Sequence, residues 1–183
     1  DNGGAVYLLE CYDFKIINCT FINNTSPDDG GAVYVHMSTG EIINSTFVDN
    51  NADDDGGAVY INNGNCKIIK SIFTSNTGDN GGAVYINSDS SNIINCTFKS
   101  NTGDDGGAIY LNSGNCKVIG STFTSDVGNY GGSIYLNGNN NAVDNCYFKL
   151  IKSKDDGGAI FIDGENCAVT GSTFNSCYAG DDG

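Results

Sequence analysis

The residues that could do chemistry in this chain are carboxylates, thiols and phenols, and they recur. Asp28, Asp54, Asp79, Asp104 and Asp155 each open the same short stretch, written "DDGGAVY", "DNGGAVY", "DDGGAIY" or "DDGGAIF". Paired carboxylates are the machinery of glycoside hydrolysis, one as acid and the other as base or nucleophile. Stacked carboxylates also suit Ca2+, whose ligands are oxygens. Catalysis needs one distinctive site, however, and a repeat makes many equal ones. Polysaccharide lyase chemistry further wants a cationic base or a calcium cluster that interrupts the pattern. The eight basic residues here are all lysines. The Asp pairs therefore read as turn residues whose side chains bond the backbone, with no catalytic residue and no cofactor. Ca2+ at the stacked Asp turns is the one metal that the pattern admits. It would relieve a repulsion of about 0.9 kcal/mol per adjacent carboxylate pair in water.

The elements that hold these residues follow from the spacing. The first Gly of each Gly-Gly pair falls at Gly3, Gly30, Gly56, Gly81, Gly106, Gly131 and Gly157, a period of 25–27 residues. Such a period means stacked repeats. Val6, Val33, Val59, Val84, Ile109, Ile134 and Ile160 share one column, and two residues on lie Leu8, Val35, Ile61, Ile86, Leu111, Leu136 and Ile162. Positions i and i+2 face the same side of a strand. A third aliphatic column starts at Ile16, and a column of Phe runs from Phe21 to Phe174 without exception. Each coil is thus about three short strands joined by bends rich in Gly, Asn and Asp. The fold class is all-β, a parallel β-helix of seven coils and roughly 34 Å in length at a rise of 4.8 Å. One coil cannot bury its own apolar face, so residues 1–183 form a single stacked unit.

If the aliphatic columns point inward, their neighbours point outward. Tyr7, Tyr34, Tyr60, Tyr85, Tyr110 and Tyr135, ended by Phe161, are then an exposed aromatic ladder, with the Ala column of Ala32, Ala58 and Ala83 beside it. The ladder either stabilises itself by stacking or presents a contact face to glycan or to a surface protein. Head-to-tail or lateral self-association is open to such a rod. Coil six departs from the pattern at Tyr130, Ser133, Asp144 and Tyr147 and adds Lys149, Lys152 and Lys154.

The eight cysteines fall in columns that keep them apart. Cys19, Cys96 and Cys146 share one inward column with Ser45, Ser71, Ser121 and Ser172, no two of them in adjacent coils, and Cys66 and Cys116 lie two coils apart in another. Two coils are about 9.6 Å, beyond the ~7 Å reach of a disulfide, so free thiols are expected. His36, the single histidine, reads as a surface residue. Asn18, Asn23, Asn24, Asn44 and Asn95 match the N-x-[ST] sequon; Asn18, Asn44 and Asn95 also share a bend column, so packing explains these three at least as well.

The net charge of −14 argues against nucleic acid and anionic membranes, which need basic patches. No run of 18 apolar residues is present, so direct membrane insertion is not expected. The chain opens and stops within its own pattern and reads as a piece of a longer repeat protein.

"GGAVY" or "GGAIY" followed by F-x-x-N resembles the paired motifs of chlamydial polymorphic outer-membrane proteins. The combination with "NCTF" is also similar to the adhesin-like surface proteins of methanogenic archaea. The F-x-x-N element holds at Phe21–Asn24, Phe47–Asn50, Phe73–Asn76 and Phe98–Asn101, and gives way to Asp126, Ile151 and Cys177. The resemblance implies a right-handed, pectin-lyase-like β-helix in an extracellular stalk or passenger segment at the cell surface. It implies a non-enzymatic spacer and binding surface; a polysaccharide lyase or glycoside hydrolase of the same shape is the alternative. Persistent free thiols outside a cell fit the anaerobic life that the archaeal resemblance implies. An ice-binding rod, from the outward Thr column at Thr20, Thr46 and Thr97, is a weaker reading because Ile72 and Tyr147 interrupt it.

Overall fold

The computed structural model describes residues 2–183. Three seven-stranded parallel sheets run along one axis, each taking one strand from every coil in sequence order. The first sheet begins with Val6–Leu9 and Val33–His36, the second with Tyr12–Ile17 and Thr39–Ile43, and the third with Thr20–Ile22 and Thr46–Val48. Register is one-to-one: Val84 sits over Ile109, Tyr85 over Tyr110 and Ile86 over Leu111. The chain is a parallel β-solenoid, as the period requires.

The core is made of ladders of like residues. Val59, Ile61, Ile68 and Phe73 in one coil lie against Val84, Ile86, Ile93 and Phe98 in the next, all essentially inaccessible to water. The Phe rings stack with centroids 4.7–4.9 Å apart. The end coils leave the same columns open, and Phe174 is 48% exposed.

The Ala column does not lie beside the Tyr column on the outside. Ala32, Ala58, Ala83 and Ala108 are fully buried within the main core. Strict alternation fails because the amides of both Ala58 and Val59 donate to the Ala83 carbonyl, at 3.0 and 2.9 Å. The backbone bends there, and two successive side chains turn inward before regular strand begins.

The Gly pair does two separate jobs. The first Gly takes a left-handed backbone, with φ of +64° at Gly56, which a side chain would strain. The second permits close approach: a Cβ on Gly57 would collide with the carbonyl oxygens of Gly82 and Thr77. The bends between sheets use left-handed residues too. Asn18, Asn44 and Asn95 hold φ of +56°, +48° and +54°, a conformation that Asn tolerates. Their sequon match coincides with this bend requirement.

Buried polar side chains are placed to satisfy backbone at the corners. Asn50 Oδ1 accepts from the Asn24 amide and from its Nδ2, at 3.0 and 2.8 Å. The same pair of bonds joins Asn50 to Asn76 and Asn76 to Asn101. The ladder does not stop where the Asn residues stop. Asn101 donates both bonds to Asp126 Oδ1 at 2.9 and 3.1 Å, and Ser133 Oγ donates to Oδ2 at 3.2 Å. Ser133 stands where the other coils carry Ala, so the two departures of this region compensate each other. Asp126 is fully buried, and desolvation pushes its carboxyl up to about 7 despite these donors.

Serines and Cys96 occupy the equivalent accepting role at another corner. Ser45 Oγ accepts from the Cys19 amide at 3.2 Å, Cys96 Sγ from the Ser71 amide at 3.4 Å, and Ser172 Oγ from the Cys146 amide at 3.1 Å. All eight cysteines are free. Burial pushes the Cys66 thiol up to about 12 and those of Cys96 and Cys116 up to about 11.

Two outcomes are expected from these ladders. Phe98→Ala should cost about 3–5 kcal/mol, because it opens a closed cavity. Tyr85→Ala should cost less, about 1–3 kcal/mol for two stacking contacts, because its ring lies in a Tyr cluster separate from the main core. Denaturant melts compare them; equal losses would mean that both columns serve one core. The second concerns Asp126. Between about pH 4 and pH 7 the folded chain holds a proton that the unfolded chain has lost. Stability therefore falls as pH rises through this window, by up to about 1.4 kcal/mol per pH unit. Asp126→Asn should match the parent near pH 4, exceed it at pH 7.5 and show a flatter profile in melts across that range.

Candidate functional site

The Tyr ladder lies outside the aliphatic core, as alternation demands, but most of it is not exposed. Tyr34, Tyr60 and Tyr85 form a separate cluster with only 6–8% of their surface accessible, and Tyr110 packs against it. Successive Tyr rings lie 4.8–5.1 Å apart and nearly parallel. Each ring's two faces are therefore taken by its neighbours, and only edges face outward. Tyr7, at the end of the stack, is 50% exposed. At the other end Tyr135 tilts by 39° against Phe161, whose ring also meets Tyr130 edge-on. The expectation of a broad exposed aromatic surface is thus corrected by stacking, which seals the faces a flat ligand would need. An amide row lines the same strands: Asn62 Nδ2 donates to Tyr34 Oη, Asn87 Nδ2 to Asn62 Oδ1, and Asn112 Nδ2 to Asn87 Oδ1, each at 3.3 Å.

The Asp turns form two columns. In the first, backbone groups stack: the Asp54 amide donates to the Asp28 carbonyl at 3.2 Å. In the second, carboxylates bridge coils. Asp29 Oδ1 accepts from the Asp55 amide at 3.3 Å, and Asp55 Oδ1 accepts from Asn80 Nδ2 at 2.8 Å. Burial, with Asp55, Asp54 and Asp28 adding repulsion, pushes the Asp29 carboxyl up to about 6. Desolvation raises Asp55 and Asp105 as well. Burial of the ladder and these carboxylates together hold the Tyr60 and Tyr85 phenols in the neutral form. Among the described residues, no three Asp, Glu, Cys or His side chains converge on a point that a metal ion could occupy.

Other singled-out residues fall apart in space. His36 is half-buried, tilted against Tyr34 at 6.2 Å, with its Nδ1 buried and unpartnered. In coil six, Asp144 accepts from Thr170 Oγ1 at 2.7 Å and Tyr147 Oη from Asn175 Nδ2 at 3.3 Å. These are inter-coil bonds of the usual kind, so drift in sequence there is absorbed by the stack.

The place that sequence reasoning passed over is the corner between the first and second sheets in coils one to five. Two open cavities of about 530 and 520 Å³ meet there, sharing Thr39 and Asn65 in their walls. The corner is irregular for a traceable reason. Coil one has one residue more than coil two, and the register slips between Tyr12 and Phe14. Asp13 is the extra residue, with a left-handed φ of +57°, a β-bulge. The Phe14 ring fills the space over Gly40, where a Cβ would come within 2.6 Å of it. Tyr12 is thrown outward and is 74% exposed. The bend itself also changes along the rod. Glu10, Met37 and Asn63 turn it two residues after Leu8, Val35 and Ile61, whereas Ser90 and Asn115 turn it four after Ile86 and Leu111. The 27-residue length of the first coil was the available signal.

Comparison with known proteins fits this architecture. Residues 18–36, 44–62 and 95–112 match the Chlamydia polymorphic membrane protein repeat. Each matched segment runs from a left-handed Asn bend, through the Phe strand and the Gly pair, into the first strand of the next coil. No curated protein and no solved structure matches the chain. The chain is a parallel β-solenoid, three of whose coil junctions are similar to the Chlamydia polymorphic membrane protein repeat.

Proposed function

We propose that this chain is a non-enzymatic, extracellular segment of an adhesin-like cell-surface protein, acting as a rigid spacer that carries a binding surface for glycan or protein. The observation that carries the reading is the polymorphic membrane protein repeat at three coil junctions of a seven-coil rod. Pairing of every internal strand of the three seven-stranded sheets on both edges supports the spacer role, since bending such a stack must break ladder bonds. The recurrent carboxylates support a non-catalytic reading, because Asp29 and Asp55 are engaged by amides of the next coil rather than gathered in one groove. The charge of −14 favours partners other than nucleic acid.

Antibody raised against the chain should label intact cells of the source, and external protease should remove the label. Labelling that requires permeabilised cells would overturn the surface reading. Incubation of the purified chain with neutral and acidic polysaccharides plus calcium should release no new chain ends. Cleavage abolished by Asp29→Asn would replace the spacer reading with an enzymatic one.

A further inference from the structure

We propose that the corner between the first and second sheets in coils one to five is a binding site for a neutral oligosaccharide, with the Tyr12 ring as its platform. The proposal rests on the surface-binding reading above and places that binding away from the Tyr ladder.

Three observations carry it. First, the two open cavities adjoin across Thr39 and Asn65, and their walls mix polar side chains with Tyr12, Phe14 and Met37. A sugar ring has the same mixed character, with hydroxyls around its edge and C–H groups on its faces. Second, a sugar stacks its C–H face on an aromatic face, and here the ladder and Tyr12 differ. The faces of Tyr60 and Tyr85 are occupied by their neighbours, whereas Tyr12 is 74% exposed and borders the cleft beside Met37. The bulge at Asp13 is what projects it, and bulges re-aim side chains in this way. Third, the polar groups suit hydroxyls. Asn63 and Asn65 are exposed on the wall, and an amide both donates and accepts. Asp13, Glu41, Lys15 and Lys67 line the neighbouring half. Acids and lysines offset each other there, in a chain that is strongly acidic elsewhere, so a polyanionic glycan gains no net attraction.

The test uses the whole chain and isothermal titration with chitotetraose, cellotetraose and a heparin tetrasaccharide. At least one neutral probe should bind, and heparin should bind more weakly. Tyr12→Ala should weaken the neutral probe at least tenfold, Asn65→Ala about threefold, and Tyr12→Phe should stay within threefold of the parent. Thermal melts should be unchanged in Tyr12→Ala, since the ring is exposed. Absence of binding by both neutral probes, preference for heparin, or an unchanged affinity in Tyr12→Ala would overturn the proposal. The titration needs no cell. Its failure leaves the labelling result intact, and failure of the labelling leaves the titration intact.

Discussion

Everything in this molecule depends on the spacing of parallel backbones, about 4.8 Å from coil to coil. At that distance a residue packs against the residue one period away more closely than against most of its sequence neighbours. A side chain must therefore be compatible with its own copy. Phe on Phe, Val on Ile and Asn on Asn meet this requirement, and the observed ring spacings of 4.7–4.9 Å are the backbone spacing transmitted through the side chains. The same requirement makes Gly57 necessary, because the carbonyls of Gly82 and Thr77 occupy the space of a Cβ.

The constraint also explains how the rod tolerates polar groups in its interior. Corners interrupt the sheet ladders and leave amides in a dry environment, where an unpaired donor costs about 1–3 kcal/mol. Columns of Asn, Ser and Cys satisfy them, each side chain accepting from the coil before it. A thiol does this less well than a hydroxyl but fits the volume. The buried Cys66, Cys96 and Cys116 are then structural, and burial pushes their thiols up and away from the reactive thiolate. Asp126 is the point of tension, a carboxyl in an amide's position, and Ser133 is the local remedy.

Stacking sets where a ligand can and cannot sit. A continuous ladder consumes the faces of its own rings, so the longest aromatic column is poorly suited to hold a flat ligand. Faces become free where the register slips. Tyr12 is free because the extra residue Asp13 breaks the period in the first coil. Departure from the repeat, rather than the repeat itself, is what creates a distinctive surface.

The sequence by itself determined the solenoid, the coil boundaries, the four inward columns and the separation of the thiols, because all of these follow from period and alternation. It also placed the Tyr column outside the core. Tertiary structure alone decided how much of that column water reaches, since accessibility depends on the rings above and below and on the Asp turns beside it. It decided that the Ala column turns inward, because the shared Ala83 carbonyl bends the chain where alternation presumes it straight. It also joined Asp126 to Asn101 and Ser133, and brought Tyr12 beside Asn63 and Asn65. Those pairings lie across coils, at separations fixed by where each corner bends, and a one-residue slip in a corner leaves almost no mark on composition or pattern.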